Sequence, residues 1–265
     1  MLVGGLSDME KLGYLLHSKT NVFSRRLERA KSTIKDALAT GARFYLSFSG
    51  GCDSAVLLDL LWTLGCRIDV LWGDDGWDFP ETLRYLEETE ARYEFRLLRI
   101  RCLSPWRDWC AEMGRSDLMA TPDQAWGNPA MWDETWDSLK EAAFHGYGGA
   151  FLGLLACESA ARRRILDGGR RPLYQVEREH RGWHCSPLAG WKKEDVWGYI
   201  IGMELPYNPV YDRLAQLGLP LYQRRVAPLT CFRVTQYGSH TWLRMGWPEL
   251  FNRLAETFPA VVRYS

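Results

Sequence analysis

The sequence predicts an α/β fold: a doubly wound, mostly parallel sheet with helical N- and C-terminal extensions. Three observations carry this. Short apolar runs alternate with segments of helical period along the first two thirds of the chain. Strands separated by such segments are joined by crossovers, which is how parallel sheets are connected. The first strand-like run ends in two glycines and gives way to an apolar run of different period, in "RFYLSFSGGCDSAVLLDLLW", residues 43–62.

Taken in order, residues 7–39 read as one or two helices, with Gly41 as the stop after "SRRLERAKSTIKDALAT". Residues 43–48 read as a strand, and 54–64 as a helix with Val56, Leu57, Leu60 and Leu61 on its apolar positions. "RIDVLWG" is a second strand, and "FPETLRYLEETEARY" a helix with Pro80 in its first turn. "EFRLLRI" is a third strand and "GGAFLGLLA" a fourth, followed by the basic segment "ESAARRRIL". "DGGRRPLYQVEREHRGWHCSPL" reads as a hairpin or loop, and "KKEDVWGYIIGMEL" as a helix. The tail from 205 to 265 is mixed, with a helix near "PELFNRLAETFP". Three regions follow: 1–40, an N-terminal helical segment; 41–212, the main domain, with a Trp-rich insertion at 103–148; and 213–265, a C-terminal extension packed on that domain.

The bulk numbers narrow the function classes. At 265 residues, 46% hydrophobic and 25% charged, the chain has the composition of a soluble globular protein. Zero net charge supplies no overall field to recruit nucleic acid or membrane. The longest apolar stretches fall short of the ~20 residues that span a bilayer, and "MLVGGLSDMEKLGY" lacks the layout of a signal peptide, so the expected location is the cytoplasm. The seven cysteines contain no C-x-x-C pair, which argues against zinc or iron–sulfur ligation; reduced, buried thiols are expected. The thirteen tryptophans are read first as core, with a base-stacking surface as the alternative.

The chemistry concentrates at Ser49-Gly50-Gly51-Cys52-Asp53-Ser54, a strand-to-helix junction. Two glycines allow a sharp turn and close approach to a ligand. Their amides, with those of the first helical turn, form an anion cradle. Ser49 and Ser54 add hydroxyls, and Asp53 is suited to cap the helix or to hold Mg²⁺. The loop is neither G-x-x-x-x-G-K-[ST] nor G-x-G-x-x-G. Asp74 ends the second strand, where it either positions metal or water or forms a turn; Trp72 and Gly73 precede it, an aromatic wall and a backbone for a base. Arg162, Arg163 and Arg164 follow the fourth strand and offer guanidinium forks to phosphate. Lys192 and Lys193 are either a surface pair or a phosphate contact, and Trp191 and Trp197 are packing residues.

S-G-G-x-D-S resembles the PP-loop of the adenine nucleotide alpha hydrolase superfamily, which cleaves ATP between its α- and β-phosphates. More narrowly the chain is similar to the phosphoadenosine phosphosulfate (PAPS) reductase-like family. "DDGWDFPET", "GLLACESAAR", "SPLAGWKKEDVWGYI" and "LPYNPVYD" resemble further motifs of that family, so the likeness covers roughly residues 43–212. The resemblance implies a Rossmann-like PP-loop domain over 41–212 that binds ATP or PAPS, with Mg²⁺ on Asp53. It implies catalytic roles for Asp53, Asp74 and Arg162. Ser49, Gly50, Gly51, Ser54, Trp72, Gly73, Arg163 and Lys193, with Asp53 and Arg162, are the nucleotide-binding set. The expected reaction transfers adenylyl to an acceptor (sulfate, nucleic acid or a metabolite) and releases pyrophosphate, with a protein partner or homo-oligomer left open.

The chain departs from the family in two places. Leu155 stands where the family's G-x-R motif has arginine; that phosphate or sulfate contact is either missing or supplied elsewhere, with Arg162 and Arg225 as candidates. The C-terminal E-C-G-x-H segment of true PAPS reductases has no counterpart, and the nearest thiol is Cys231 in "PLTCFRVTQ". Two rivals follow: a sulfonucleotide reductase using Cys231, and a catalytically silent nucleotide-binding partner. None of the five histidines lies in the motifs, so no general base is named.

Overall fold

Six strands form one sheet in the order β3-β2-β1-β4-β6-β5. The structure is a computed structural model, and it describes residues 5–74, 76–101, 146–166, 172–176, 182–226, 239–257 and 262. The strands are β1 (Phe44–Ser47), β2 (Asp69–Asp74), β3 (Leu97–Arg101), β4 (Gly149–Leu152), β5 (Leu173–Val176) and β6 (Gly182–Cys185). The helices are α1 (Asp8–His17), α2 (Asn21–Leu38), α3 (Cys52–Thr63), α4 (Pro80–Tyr93), α5 (Ala160–Leu166), α6 (Lys193–Gly202), α7 (Val210–Gln216), α8 (Ser239–Gly246) and α9 (Pro248–Thr257). The expected elements therefore appear, with α7 and α8 added from the tail that the sequence left mixed.

β1 pairs in parallel with β2 on one side and β4 on the other, and β4 pairs in parallel with β6. β5 runs antiparallel to β6 and closes the edge, the pairing that the hairpin reading of this stretch expects. From β1 the chain builds outward to β2 and β3, then returns to place β4 on the opposite side. The reversal falls between β1 and β4, and in open α/β sheets the crevice outside the carboxyl ends of the strands at such a reversal is where ligands bind. Ser47 stands level with Leu152, so the segments leaving β1 and β4 emerge side by side.

The chain divides into two compact units. The first takes in the described parts of Met1–Trp72, Tyr85–Leu98 and Ala143–Asn208. Its core holds Leu46, Val56, Leu57, Leu86, Phe151 and Val196, all fully buried. α3 is apolar on nearly every face because it is buried nearly all round. α1 is started by a reciprocal cap, in which the Ser7 hydroxyl accepts from the Glu10 amide and the Glu10 carboxylate from the Ser7 amide. α1 and α2 are then tied to α6. Asp195, with 0% exposure, accepts from Arg26 at 2.6 Å, from the Lys192 amide at 2.7 Å, and lies 2.8 Å from His17 Nε2. A buried carboxylate needs such company, since desolvation alone would cost several kcal/mol.

The second unit takes in the described parts of Gly73–Arg84, Arg99–Ala142 and Pro209–Ser265. Trp77, Phe79, Val210, Leu243, Trp247 and Phe251 belong to its apolar cluster. Glu81, 9% exposed, accepts from Arg213 at 2.6 Å and from the Trp247 indole at 2.8 Å. Glu81, in the first turn of α4, thus joins Arg213 of α7 and Trp247, the residue before α9, through its two carboxylate oxygens.

No helix among the described residues is long and apolar enough to cross a membrane. Trp72, Trp77, Trp191, Trp197 and Trp247 are core residues. The cysteine expectation holds for Cys52 and Cys185, which are buried, with the Cys185 thiol pushed up by burial; Cys157 departs from it and is exposed. Cys231, residues 103–145 of the Trp-rich insertion and residues 227–238, 258–261 and 263–265 of the C-terminal extension lie outside the described residues.

Candidate nucleotide-binding site

The glycine loop joins β1 to α3. Gly50 has φ +70°, the left-handed region that only glycine enters without strain. Gly51 is the helix N-cap and carries no capping side chain, so Asp53 does not cap α3. The loop is held from within. Ser54 Oγ donates to the Gly51 carbonyl at 2.9 Å and accepts from the Ser49 amide at 3.3 Å, and its oxygen lies 3.1 Å from Ser49 Oγ. The Gly51 amide donates to Ser49 Oγ at 3.3 Å. Ser54 is buried, so its hydroxyl serves the loop, whereas Ser49 is exposed. Cys52, the variable position of the motif, is buried.

The segment leaving β4 presses against this loop. A Cβ on Gly153 would stand 2.9 Å from the Ser54 nitrogen and 3.1 Å from the Asp53 carbonyl carbon, both backbone atoms that cannot swing aside. Gly153 is therefore there for close approach. Leu155, two residues on, has 0% exposure: where the family has arginine, this chain places a core side chain.

The charged side chains form one chain of contacts. Lys193 Nζ, from the first turn of α6, lies 3.0 and 2.7 Å from the two oxygens of Asp53 and 2.8 Å from Glu158 Oε1. Arg162 is paired with the other oxygen of Glu158. Ser159 caps α5, accepting from the Arg162 amide at 3.0 Å, which fixes where that arginine begins its turn. Two acids and two bases thus alternate beside the glycine loop: Asp53, Lys193, Glu158, Arg162. Lys193 is half-buried and turned to these carboxylates, whereas Lys192 is exposed and contributes its amide to the cap of α6.

Of the expected site residues, the structure brings together Ser49, Gly50, Gly51, Asp53, Ser54, Arg162 and Lys193. Arg163 is exposed and makes no ion pair among the described residues. Trp72 is 3% exposed, so its ring is core and leaves only backbone to meet a base. Asp74 Oδ1 accepts from the Gly76 amide at 2.9 Å, the local turn that the sequence offered as one of its two readings. Asp74, Gly73 and the exposed Arg225 belong to the second unit. Sequence reasoning gave no role to Glu158 or Asn208, although both lie inside quoted motifs. The signal for Glu158 was its place four residues before Arg162, the spacing of a helical ion pair.

Asp53 and Glu158 converge on one point, now occupied by an ammonium group. Two carboxylates around one positive charge are a donor set that also suits a hard divalent cation with phosphate oxygens as further ligands.

A phosphoadenosine phosphosulfate reductase domain matches residues 43–234. Among curated relatives, a phosphoadenosine 5'-phosphosulfate reductase from a Synechococcus strain is 27% identical over 75% of this chain and 83% of its own length. A PAPS reductase structure from Candida auris, in a phosphate complex, superposes with TM-score 0.52 and 19% identity, covering 72% of this chain and 85% of that one. An NMN synthetase from Francisella tularensis superposes with TM-score 0.51 and 16% identity over 91% and 92% of the two chains. At these identities the two structures speak for the fold alone, a mostly parallel sheet flanked by helices. The domain match extends over most of the chain, from β1 past α7, and with it the chain belongs to the phosphoadenosine phosphosulfate reductase family of PP-loop proteins.

Proposed function

We propose that the protein is a PP-loop ATP pyrophosphatase that adenylylates an acceptor. The observation that carries this is the placement of Lys193 and Arg162 beside the glycine loop through Asp53 and Glu158. A triphosphate needs fixed amide donors and mobile cations at once, and both are present.

In this reading the amides of Gly50, Gly51 and the first turn of α3 receive the β,γ-phosphates. Incoming phosphate draws Lys193 and Arg162 off their carboxylates, which exchanges one set of ion pairs for another. Asp53, with Glu158 beside it, would hold Mg²⁺, which would neutralise charge on the phosphate oxygens. A nucleophilic oxygen of the acceptor attacks the α-phosphorus. The bond from that phosphorus to the β-bridging oxygen breaks, and pyrophosphate leaves with the electron pair. Rate enhancement comes from positioning and from electrostatic stabilisation of charge on the leaving group. The acceptor class is sulfate, a nucleic acid or a metabolite.

The test is pyrophosphate release from ATP and Mg²⁺, comparing the wild type with Asp53→Ala. Release that the substitution leaves unchanged would sink the glycine-loop mechanism. A second reading, sulfonucleotide reduction, is supported by the name of the Synechococcus relative. It requires turnover with a dithiol donor and its loss in Cys231→Ser. The buried Leu155 favours a third, a silent nucleotide-binding partner, which would bind ATP and release no pyrophosphate with any acceptor. Mass spectrometry of the co-purified nucleotide separates ATP from PAPS.

A further inference from the structure

We propose that Asn208 is the positioning residue that aims the Gly50–Gly51 peptide at the phosphates, an inference that rests on the nucleotide reading of the loop. Asn208 is 1% exposed, and its Nδ2 donates to the Gly50 carbonyl at 3.2 Å. In a trans peptide the C=O and the following N–H point in opposite directions. Holding the Gly50 carbonyl toward Asn208 therefore turns the Gly51 amide away from it. The matter is not trivial at this bond. Glycine populates both signs of φ, so the flanking dihedrals alone do not choose the peptide's orientation; Ser49 Oγ, which accepts from the Gly51 amide at 3.3 Å, holds one end of it and Asn208 the other. One orientation presents an amide to an anion; the other presents a carbonyl oxygen, which repels it.

The neighbouring carbonyl is fixed locally, since Gly51 O accepts from Ser54 Oγ at 2.9 Å and from the Ala55 amide at 3.0 Å. The Gly50 carbonyl is fixed from a distant part of the chain. The segment bearing Asn208 is itself anchored: the Leu205 amide donates to Ile200 O at 2.8 Å, and the buried Tyr85 hydroxyl donates to Pro206 O at 3.2 Å. The Tyr85 ring also packs on Phe48, the residue before the loop, with centroids 6.5 Å apart. "LPYNPVYD" thus acts on the glycine loop through one amide group.

The experiment is calorimetric titration of the full chain with magnesium pyrophosphate as probe and adenosine as control. Asn208→Ala and Asn208→Asp, the latter isosteric but without the donor, should weaken pyrophosphate binding about tenfold, the value of one lost hydrogen bond of this kind. Adenosine, which makes no phosphate contact, should bind within about twofold of wild type by the same reasoning, and this also certifies the fold. Tyr85→Phe, which loosens the anchor only, should weaken pyrophosphate by roughly two- to threefold. Unchanged pyrophosphate affinity in the Asn208 variants overturns the proposal, as does equal weakening of both ligands. If the Asn208 variants do not fold, wild-type affinity in Tyr85→Phe overturns it. A wild type that binds no pyrophosphate removes the nucleotide reading itself, and the role of Asn208 with it.

Discussion

The Tyr199 hydroxyl donates to Asp59 at 2.6 Å, six residues beyond the Lys193–Asp53 contact on the same two helices. Tyr93 donates to the other Asp59 oxygen at 2.7 Å. At 1.5 Å rise per residue the two ties stand roughly 9 Å apart along α3 and α6. One tie carries the site's charges and the other holds the helices that bear them. Tyr199→Phe removes one donor and leaves Asp59 with Tyr93. We expect a loss of about 1 kcal/mol in urea unfolding. An unchanged midpoint would show that the tie contributes nothing net.

The tyrosines set an alkaline limit. Burial raises the Tyr45 phenol to about 12, and burial, followed by hydrogen bonding to Asp59, raises Tyr93 and Tyr199 further. A group whose folded pKa exceeds its unfolded value of ~10 adds stability that is complete below pH ~10. Between pH ~10 and ~12 the unfolded chain loses protons that the folded chain keeps, so stability falls there. Tyrosinate absorbance should rise together with loss of near-ultraviolet circular dichroism. Ionisation of all tyrosines well before unfolding would contradict the burial assignment.

Gly153→Ala should damage the loop more than the fold. The new Cβ meets the backbone of Asp53 and Ser54, so the first turn of α3 must move by several tenths of an ångström. Binding of a non-hydrolysable ATP analogue should weaken at least about tenfold, with a modest drop in Tm. Wild-type affinity in this variant would mean that α3 starts elsewhere when nucleotide is bound.

Lys193→Met leaves Asp53 and Glu158 facing each other without their shared ammonium. Pyrophosphate release should fall by about 10²-fold, since a cation aimed at developing charge is lost. The Mg²⁺ requirement for binding should also sharpen, because only the metal then separates the carboxylates. Lys192→Met, whose residue contributes an amide rather than a side chain, serves as the matched control and should retain near wild-type rates.

Leu155→Arg restores the family's residue type and should nonetheless fail. The position is fully buried, so an arginine there faces a charge-burial cost of several kcal/mol. We expect low soluble yield and a Tm fall of many degrees. A stable variant with tighter ATP binding would show instead that the side chain can turn out to the phosphates.

Much of this architecture was legible before any coordinates. The run through Leu46, the glycines and the apolar α3 specify strand, turn and buried helix, because period and turn chemistry are local properties. α7 and α8 were missed because their short segments bury their apolar faces only in the second unit's cluster, which no local window contains. The Lys192–Lys193 pair looks symmetric in sequence, and only the pitch of α6 sends Lys193 to Asp53 while Lys192 stays exposed. The place of Trp72 at a strand end suggests an aromatic wall, but strand alternation turns its ring into the core.

The sequence by itself determined the glycine loop, its place between β1 and α3, and the chemistry such a loop supports, since these depend on residues within a few positions of one another. The tertiary structure decided which distant groups serve it: Gly153 for clearance, Glu158 and Lys193 for charge, Asn208 for the direction of one peptide. Their selection depends on strand order and helix pitch, which bring residues about a hundred or more positions away up to the loop, and no pattern confined to one stretch of chain records that distance.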